Sequence, residues 1–382
     1  MTATDHINIT GTPEVTIFMP AYNSATTIGV TLESILAQTY RNIKVLVLDN
    51  ASTDTTRDVV NRFASRDSRL KLLPYTENVG FEGNCSRCLQ LSTGDYAAIY
   101  HADDVYEPWI VEREVAFLES HQDVGAVFTQ ASYIDATGAF IRGGGPLGGI
   151  TASPPTHTIY DFPMAFNKVL RETNFFICPS AMVRSRIYRD HVQIWDEQFG
   201  ASADLWVWLR ILQKFKVGIL HEPLMRYRLS ASQGSVQVNF QRTEKSPFNR
   251  VVEHFLEDPA VRLTVERSAL DTYEIHALRV KLKRSRAALM TGNQPLAREL
   301  SNGAWSWRRW RLLFILDRKF SPGAIAFRTW WSGITTHMMA RLPGQQTIGR
   351  LLFYFKYTRR YRKLGGSLNA GVTTKDETTP GQ

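Results

Sequence analysis

Cysteine is scarce in this 382-residue chain, and three residues, Cys85, Cys88 and Cys178, are too few for a disulfide framework and suit a reducing compartment. Cys85 and Cys88 have zinc-like spacing, yet no second Cys/His pair stands nearby, so they are expected to pack inside a helix rather than hold a metal. Long apolar runs are missing too. The run "LLFIL" at Leu312 to Leu316 falls far short of the roughly 18 residues that argue for a spanning helix. "MTATDHINITGTPEV" at the N-terminus has neither the basic stretch nor the apolar core of a secretory signal, so the expectation is a protein made and kept in the cytosol. The glycine-rich phosphate loops are absent: there is no Gly-x-x-x-x-Gly-Lys-Ser/Thr, and no Gly-x-Gly-x-x-Gly opens a helix after a strand. "GGGPLGG" (Gly143 to Gly149) is followed by no helical pattern and reads as part of a loop. If this chain binds phosphates, a metal must neutralise them.

What is present is a globular composition, 43% hydrophobic and 11% aromatic, with a net charge of +9. That balance asks for an anionic partner such as nucleic acid, nucleotide phosphate or a lipid surface. "VTIFMP" reads as a first strand, followed by a helix on Ile28, Leu32, Ile35 and Leu36. "IKVLVLDN", "RLKLLP" and "DYAAIY" supply further strands, with helices on "STDTTRDVVNRFA" and "FEGNCSRCLQLS" between them. Such a β-α-β series of continuous apolar strands predicts a mostly parallel, twisted sheet covered by helices on both faces.

In open sheets of this kind ligands bind beyond the carboxyl ends of the strands. There this sequence places Tyr22 and Asn23, Asp49 and Asn50, Glu77 and Asn78, and the adjacent pair Asp103 and Asp104. Neighbouring carboxylates repel unless something positive lies between them, so the pair is either a solvated turn or a divalent-cation site. Further on, "VGAVFT" and "KVGIL" read as strands, "ADLWVWLRILQKF" as a helix, and the Gly/Pro-rich stretch through "TASPPTHT" as a mobile acceptor-side excursion. The expected organisation is a flexible N-terminus (1–12), a catalytic sheet domain (13–235), a helical, basic, Trp/Arg-rich region (236–364) and a disordered tail (365–382). Between residues 305 and 363 five tryptophans and ten arginines accompany a single acid, Asp317.

The segments "VTIFMPAYNSATTIGVTLESILAQTY", "VLVLDNASTDTT", "ENVGFEGNCSRCL", "GDYAAIYHADDVYEP" and "ADLWVWLR" resemble, in order and spacing, the inverting glycosyltransferases of family two, whose fold is called GT-A. The resemblance covers roughly residues 13 to 232. It implies a nucleotide-diphosphate sugar donor, Mg²⁺ or Mn²⁺, and a glycan or lipid-linked hydroxyl acceptor. It implies that Pro20, Ala21, Tyr22 and Asn23 line the base and ribose, with Asp49 or Asn50 approaching the base and Asn78 and Gly80 completing the nucleotide pocket. Asp103 would touch the ribose side and share the metal with Asp104, Asp204 would be the catalytic base, and Arg228 would lie close to the diphosphate. Blander roles stay open, since Asp204 is placed to cap a helix, Asn78 and Gly80 to shape a turn, and Arg228 to be a surface cation.

The sequence departs from the family pattern at Asn50, Ala203 and Ser230, positions where relatives often carry acid, acid and His. No Gln-x-x-Arg-Trp occurs, so one hexose or deoxyhexose per encounter is expected rather than processive synthesis. Two alternatives remain at this level: a nucleotidyltransferase acting on sugar phosphates, and a non-catalytic sugar-nucleotide or nucleic-acid binder. The Trp/Arg-rich region reads either as a helical subdomain packing its tryptophans on the sheet domain with the arginines solvated, or as peripheral attachment to an anionic membrane surface on the cytosolic face, with no nucleic acid expected.

Overall fold

A computed structural model describes residues 12–141, 156–229, 245–290, 292–302 and 336. The first half alternates strand and helix: β1 (Val15–Ala21), α1 (Ile28–Leu36), β2 (Ile43–Asp49), α2 (Thr56–Ala64), β3 (Leu70–Pro74), α3 (Gly80–Gln90) and β4 (Tyr96–Ile99). These four strands are parallel, with Val15 opposite both Ile43 and Tyr96, and Val45 opposite Leu70. The apolar runs of β1, β2 and β4 follow from burial on both faces, whereas β3 at the edge is only partly buried. Val15, Ile17 and Met19 point to one side, where Ile28, Leu32 and Val60 cover them. Phe18, Leu46 and Ile99 point to the other, into a core with Phe128, Phe166 and Trp208. Cys85 and Cys88 are free and fully buried in that second core, as packing residues should be.

The chain then adds β5 (Val105–Tyr106), α4 (Ile110–Ser120), β6 (Val124–Ile134), β7 (His157–Tyr160), α5 (Phe162–Glu172), β8 (Met182–Arg184), α6 (Ala203–Leu212) and β9 (Lys216–Arg228). The nine-stranded sheet runs β3-β2-β1-β4-β8-β6-β9-β5, with β7 also on β9. Here the pairing is mixed: β8 is antiparallel to β4 and β6, β5 and β7 are antiparallel to β9, and β6 is parallel to β9. Strands β6 and β9 outrun the apolar cores that announce them, because each continues past register shifts into a mixed polar ladder ending at Ile134 and Arg228. The excursion expected through "TASPPTHT" closes earlier than its composition implies, since His157 and Thr158 already belong to β7. Residues 142–155, with most of the Gly/Pro stretch, lie outside the described residues.

Arg184, 8% exposed at the end of β8, closes one edge of the sheet. It donates to the carbonyls of Val124, Leu118 and His121 and to the Tyr96 hydroxyl, so a buried cation is satisfied by strand and helix ends together. After β9, the helices α7 (Pro247–Glu257), α8 (Pro259–Thr264), α9 (Arg267–Met290) and α10 (Gln294–Ser301) follow. The turn between α9 and α10 carries Gly292 with φ of 79°, where the sequence places "TGNQ". Val251, Phe255, Val261 and Tyr273 belong to the same apolar cluster as Phe166 and Trp208, so the core continues beyond the last strand. No helix among the described residues is long and apolar enough to cross a membrane. Of the region expected at 236–364, the helices up to Ser301 are described; apart from Thr336, its stretch from 303 on, with the five tryptophans, lies outside the described residues, as do residues 1–11 and the tail.

Candidate active site

The carboxyl ends of β1, β2 and β4 lie side by side in the sheet, and the loops leaving them are pinned to one another. Asn23, at φ 48°, is held in the left-handed region that Asn tolerates. Its amide donates to Ser52 Oγ and its Oδ1 accepts from the Thr53 amide, tying the β1 loop to the β2 loop. Tyr22 beside it is 49% exposed, while Pro20 and Ala21 are the buried last two residues of β1. Asp49 is fully buried: its Oδ2 takes the Arg57 Nε at 2.5 Å and the Ser52 amide, whereas Oδ1 has no partner.

Asn50, 2% exposed, is held by the loop beside it. Its Nδ2 donates to Asn78 Oδ1 and the Gly80 carbonyl, and its Oδ1 accepts from the Val79 amide and Arg87. Every polar atom of the side chain is thus engaged in shaping the loop at 78–80, where Gly80 adopts φ of 76°. Asn78 is held by the same network, its Oδ1 also accepting the Gly80 amide. Arg87 lies 3.8 Å over the Tyr75 ring, completing the wall at this edge.

The aspartate pair divides by environment. Asp103 is partly exposed, whereas Asp104 is 1% exposed; Asp104 Oδ1 accepts the Arg228 amide at 2.8 Å and Oδ2 has no partner. Burial, then repulsion from Asp103, pushes the Asp104 carboxyl well above the usual carboxylate range. Arg228 is buried rather than a surface cation. Its guanidinium donates to the carbonyls of Asp103, Asp135 and Ala136, so it braces the aspartate loop from behind. His101, two residues upstream, was given no role from sequence; it joins Asp103 and Asp104 in a cluster whose ligand atoms all lie within 4.8 Å of one another. An unpartnered buried oxygen beside two further donors of the carboxylate and imidazole type is a set that fits a divalent cation.

Asp204 opens α6, as expected, but makes no side-chain cap: the N-cap is Ser202, and no cap hydrogen bond forms there. Instead its Oδ2 accepts from Asn174 Nδ2 at 2.9 Å and its Oδ1 is left free. Desolvation raises the carboxyl to about 6, with the Leu205 amide and Asn174 pulling the other way. Tyr227, partly buried, has its hydroxyl pushed up by burial and by Asp104, Asp103 and Asp204 together, so the three carboxylates act on one region. Asn174 carried no signal in the sequence, since nothing about "NFFICPS" marks its first residue as the partner of an acid 30 positions on.

Residues 16–192 match the family model described as glycosyl transferase family 2, a stretch that contains the aspartate pair and stops short of Asp204. An uncharacterized glycosyltransferase of Haemophilus influenzae is 27% identical over 235 residues, covering 61% of this chain and 70% of that protein. The Escherichia coli enzyme WfgD, a UDP-Glc:alpha-D-GlcNAc-diphosphoundecaprenol beta-1,3-glucosyltransferase, is 25% identical over 249 residues, 65% of this chain and 89% of its own length. Among solved structures, S. aureus TarS 1–349 in complex with UDP-GlcNAc superposes with a TM-score of 0.55 at 15% identity, over 86% of this chain and 90% of that one, a likeness of fold.

Proposed function

We propose that this chain, whose residues 16–192 match the family 2 glycosyltransferase model, is such an enzyme and moves one sugar at a time from a nucleotide-diphosphate sugar to a hydroxyl acceptor with inversion. The observation that carries the proposal is the convergence on one sheet edge of two unlike carboxylate sites: the Asp103/Asp104 pair with its free buried oxygen, and the half-held Asp204.

In this reading Tyr22, Asn23 and Asp49 receive the base and ribose, while Asn50, Asn78 and Gly80 keep the pocket wall in shape. Asp103 and Asp104 would hold Mg²⁺ or Mn²⁺, which, when bound, supplies Lewis-acid stabilisation of the charge on the departing diphosphate. Arg228 keeps the aspartate loop in place through its carbonyl contacts. The acceptor oxygen forms its bond to sugar C1 from the face opposite the diphosphate, the C1–O bond to phosphate breaks, and its electron pair leaves with the nucleoside diphosphate. Asp204 Oδ1 takes the acceptor proton. A carboxylate raised to about 6 is still mostly ionised at neutral pH and is a stronger base than an ordinary aspartate.

The acceptor is proposed to be a lipid-linked glycan or growing polysaccharide, in line with the acceptor in WfgD's name. The Trp/Arg-rich region would then bring the enzyme to an anionic membrane surface, a proposal that salt-dependent co-sedimentation with anionic vesicles tests. The central experiment measures nucleoside diphosphate release from a panel of nucleotide sugars with lipid-diphosphate-linked acceptors, with and without Mn²⁺ and EDTA. Release that needs both acceptor and metal, and that disappears in Asp204→Asn, is expected. Activity that survives chelation would remove the metal from the mechanism, and pyrophosphate release from a nucleoside triphosphate would favour a nucleotidyltransferase instead.

A further inference from the structure

We infer that His101 is a third protein ligand for the divalent cation, and that its imidazole biases the site toward a first-row transition ion such as Mn²⁺ over Mg²⁺. The inference rests on the metal-dependent reading proposed above. His101 Nδ1 and Asp104 Oδ2 lie 4.0 Å apart. Two ligands each about 2.1 Å from one ion can be at most ~4.2 Å apart, so the gap accommodates a shared cation. Asp104 Oδ2 is buried, and no hydrogen-bond donor meets it, although the same carboxylate's Oδ1 is taken by the Arg228 amide.

The other ring nitrogen has a partner that fits the tautomer a metal ligand requires. Nε2 stands 3.9 Å from Cys178 Sγ, a weak acceptor, and a proton on Nε2 leaves Nδ1 with the lone pair that a metal ligand needs. Nδ1 and Oδ2 then face each other as two acceptors across 4.0 Å, an arrangement that a cation between them relieves. Phe81 packs against the ring at 84°, with centroids 5.4 Å apart, and limits its rotation. Mg²⁺ takes oxygen ligands and gives up water reluctantly, so it gains little from an imidazole, whereas first-row divalent ions accept nitrogen readily.

The test follows Mn²⁺ binding to the full-length protein by the paramagnetic resonance signal of the free ion, with Mn²⁺ alone and with Mn²⁺ plus UDP. Pulsed measurements look for coupling of the bound ion to a ¹⁴N nucleus, and Mg²⁺ serves as competitor. Wild type is expected to bind Mn²⁺ with nitrogen coupling. His101→Gln should lose that coupling, bind Mn²⁺ about 10-fold more weakly, and let Mg²⁺ compete about 10-fold better. Metal-free melting curves check that the variant is folded, and His101→Asn replaces it if Gln unfolds the loop. Wild-type Mn²⁺ binding without nitrogen coupling, or variant affinity within about two-fold of wild type, would overturn the inference and leave His101 as an ion-pair partner of Asp104, with the metal reading intact. Absence of Mn²⁺ binding in wild type under both conditions would instead sink the metal reading itself.

Discussion

Removing the Asn174 side chain should move the acid limb of the pH–rate profile without altering the rate at high pH. Asp204 is desolvated, which raises its carboxyl, and the Asn174 amide is one of the groups that offset this by donating to the ionised form at 2.9 Å. A hydrogen bond to a charged group contributes about 1.5–3 kcal/mol. At about 1.36 kcal/mol per pKa unit, its loss lifts the limb by roughly one unit or more, from about 6 toward about 7. Wild-type Asp204 is then about half ionised at pH 6, while Asn174→Ala leaves roughly one tenth ionised. The variant should therefore transfer sugar about five-fold more slowly at pH 6 and nearly as fast as wild type at pH 8. The assay is kcat/KM for nucleoside diphosphate release between pH 5 and 9. An equal loss at every pH would mean that Asn174 only supports local structure, and an unmoved limb would mean that Asp204 is not the group whose ionisation controls the rate.

Asp204→Asn should lower transfer by about 10² to 10⁴ while donor binding, read by calorimetry, persists. Because folding lifts this carboxyl from 3.8 to about 6, its ionisation opposes folding; the same variant should melt higher than wild type at pH 7, with the gain fading as pH falls from about 6 toward 4. Asn50→Ala should raise KM for the donor with a smaller effect on kcat, since it frees the loop at 78–80 without touching the carboxylates. Gly218→Ala would set a Cβ 2.2 Å from Phe117 Cε1, and a loss of about 1–3 kcal/mol in denaturant unfolding is expected, with unchanged pH dependence of whatever activity remains.

Strands β1, β2 and β4 were legible because two-sided burial writes itself as apolar runs, and "VTIFMP" or "IKVLVLD" does not fit a helical pattern. The two-residue β5 and three-residue β8 left no such trace. Their pairing with β9, β4 and β6 is dictated by neighbours far away in sequence. The aspartate pair was visible as a charge anomaly at a strand end, but its division into a partly exposed Asp103 and a buried Asp104 depends on Arg228, more than 100 residues on. Asn50 reads as a substitution in a base-binding motif; its hydrogen bonds to Asn78 and Gly80, 28 and 30 positions on, are not visible in the sequence. His101 and Asn174 were missed because neither residue type is unusual where it stands, and only the distances to Asp104 and Asp204 single them out.

The last strand also bears on how the folded chain comes into being. Arg228 closes β9, which pairs with β5, β6 and β7, and its amide and guanidinium fix the loop of Asp103 and Asp104. A nascent chain therefore meets its own aspartates late: the parallel half of the sheet can assemble while the ribosome is still reading, but the carboxylates stay unbraced until residue 228 has emerged. A polypeptide stopped at residue 192, the end of the family match, would carry the most recognisable part of the sequence and lack both Asp204 and the strand that organises the pair. The bracing of the aspartate pair thus depends on a contact more than 100 residues apart in sequence, the kind of non-local pairing that local structure alone does not supply.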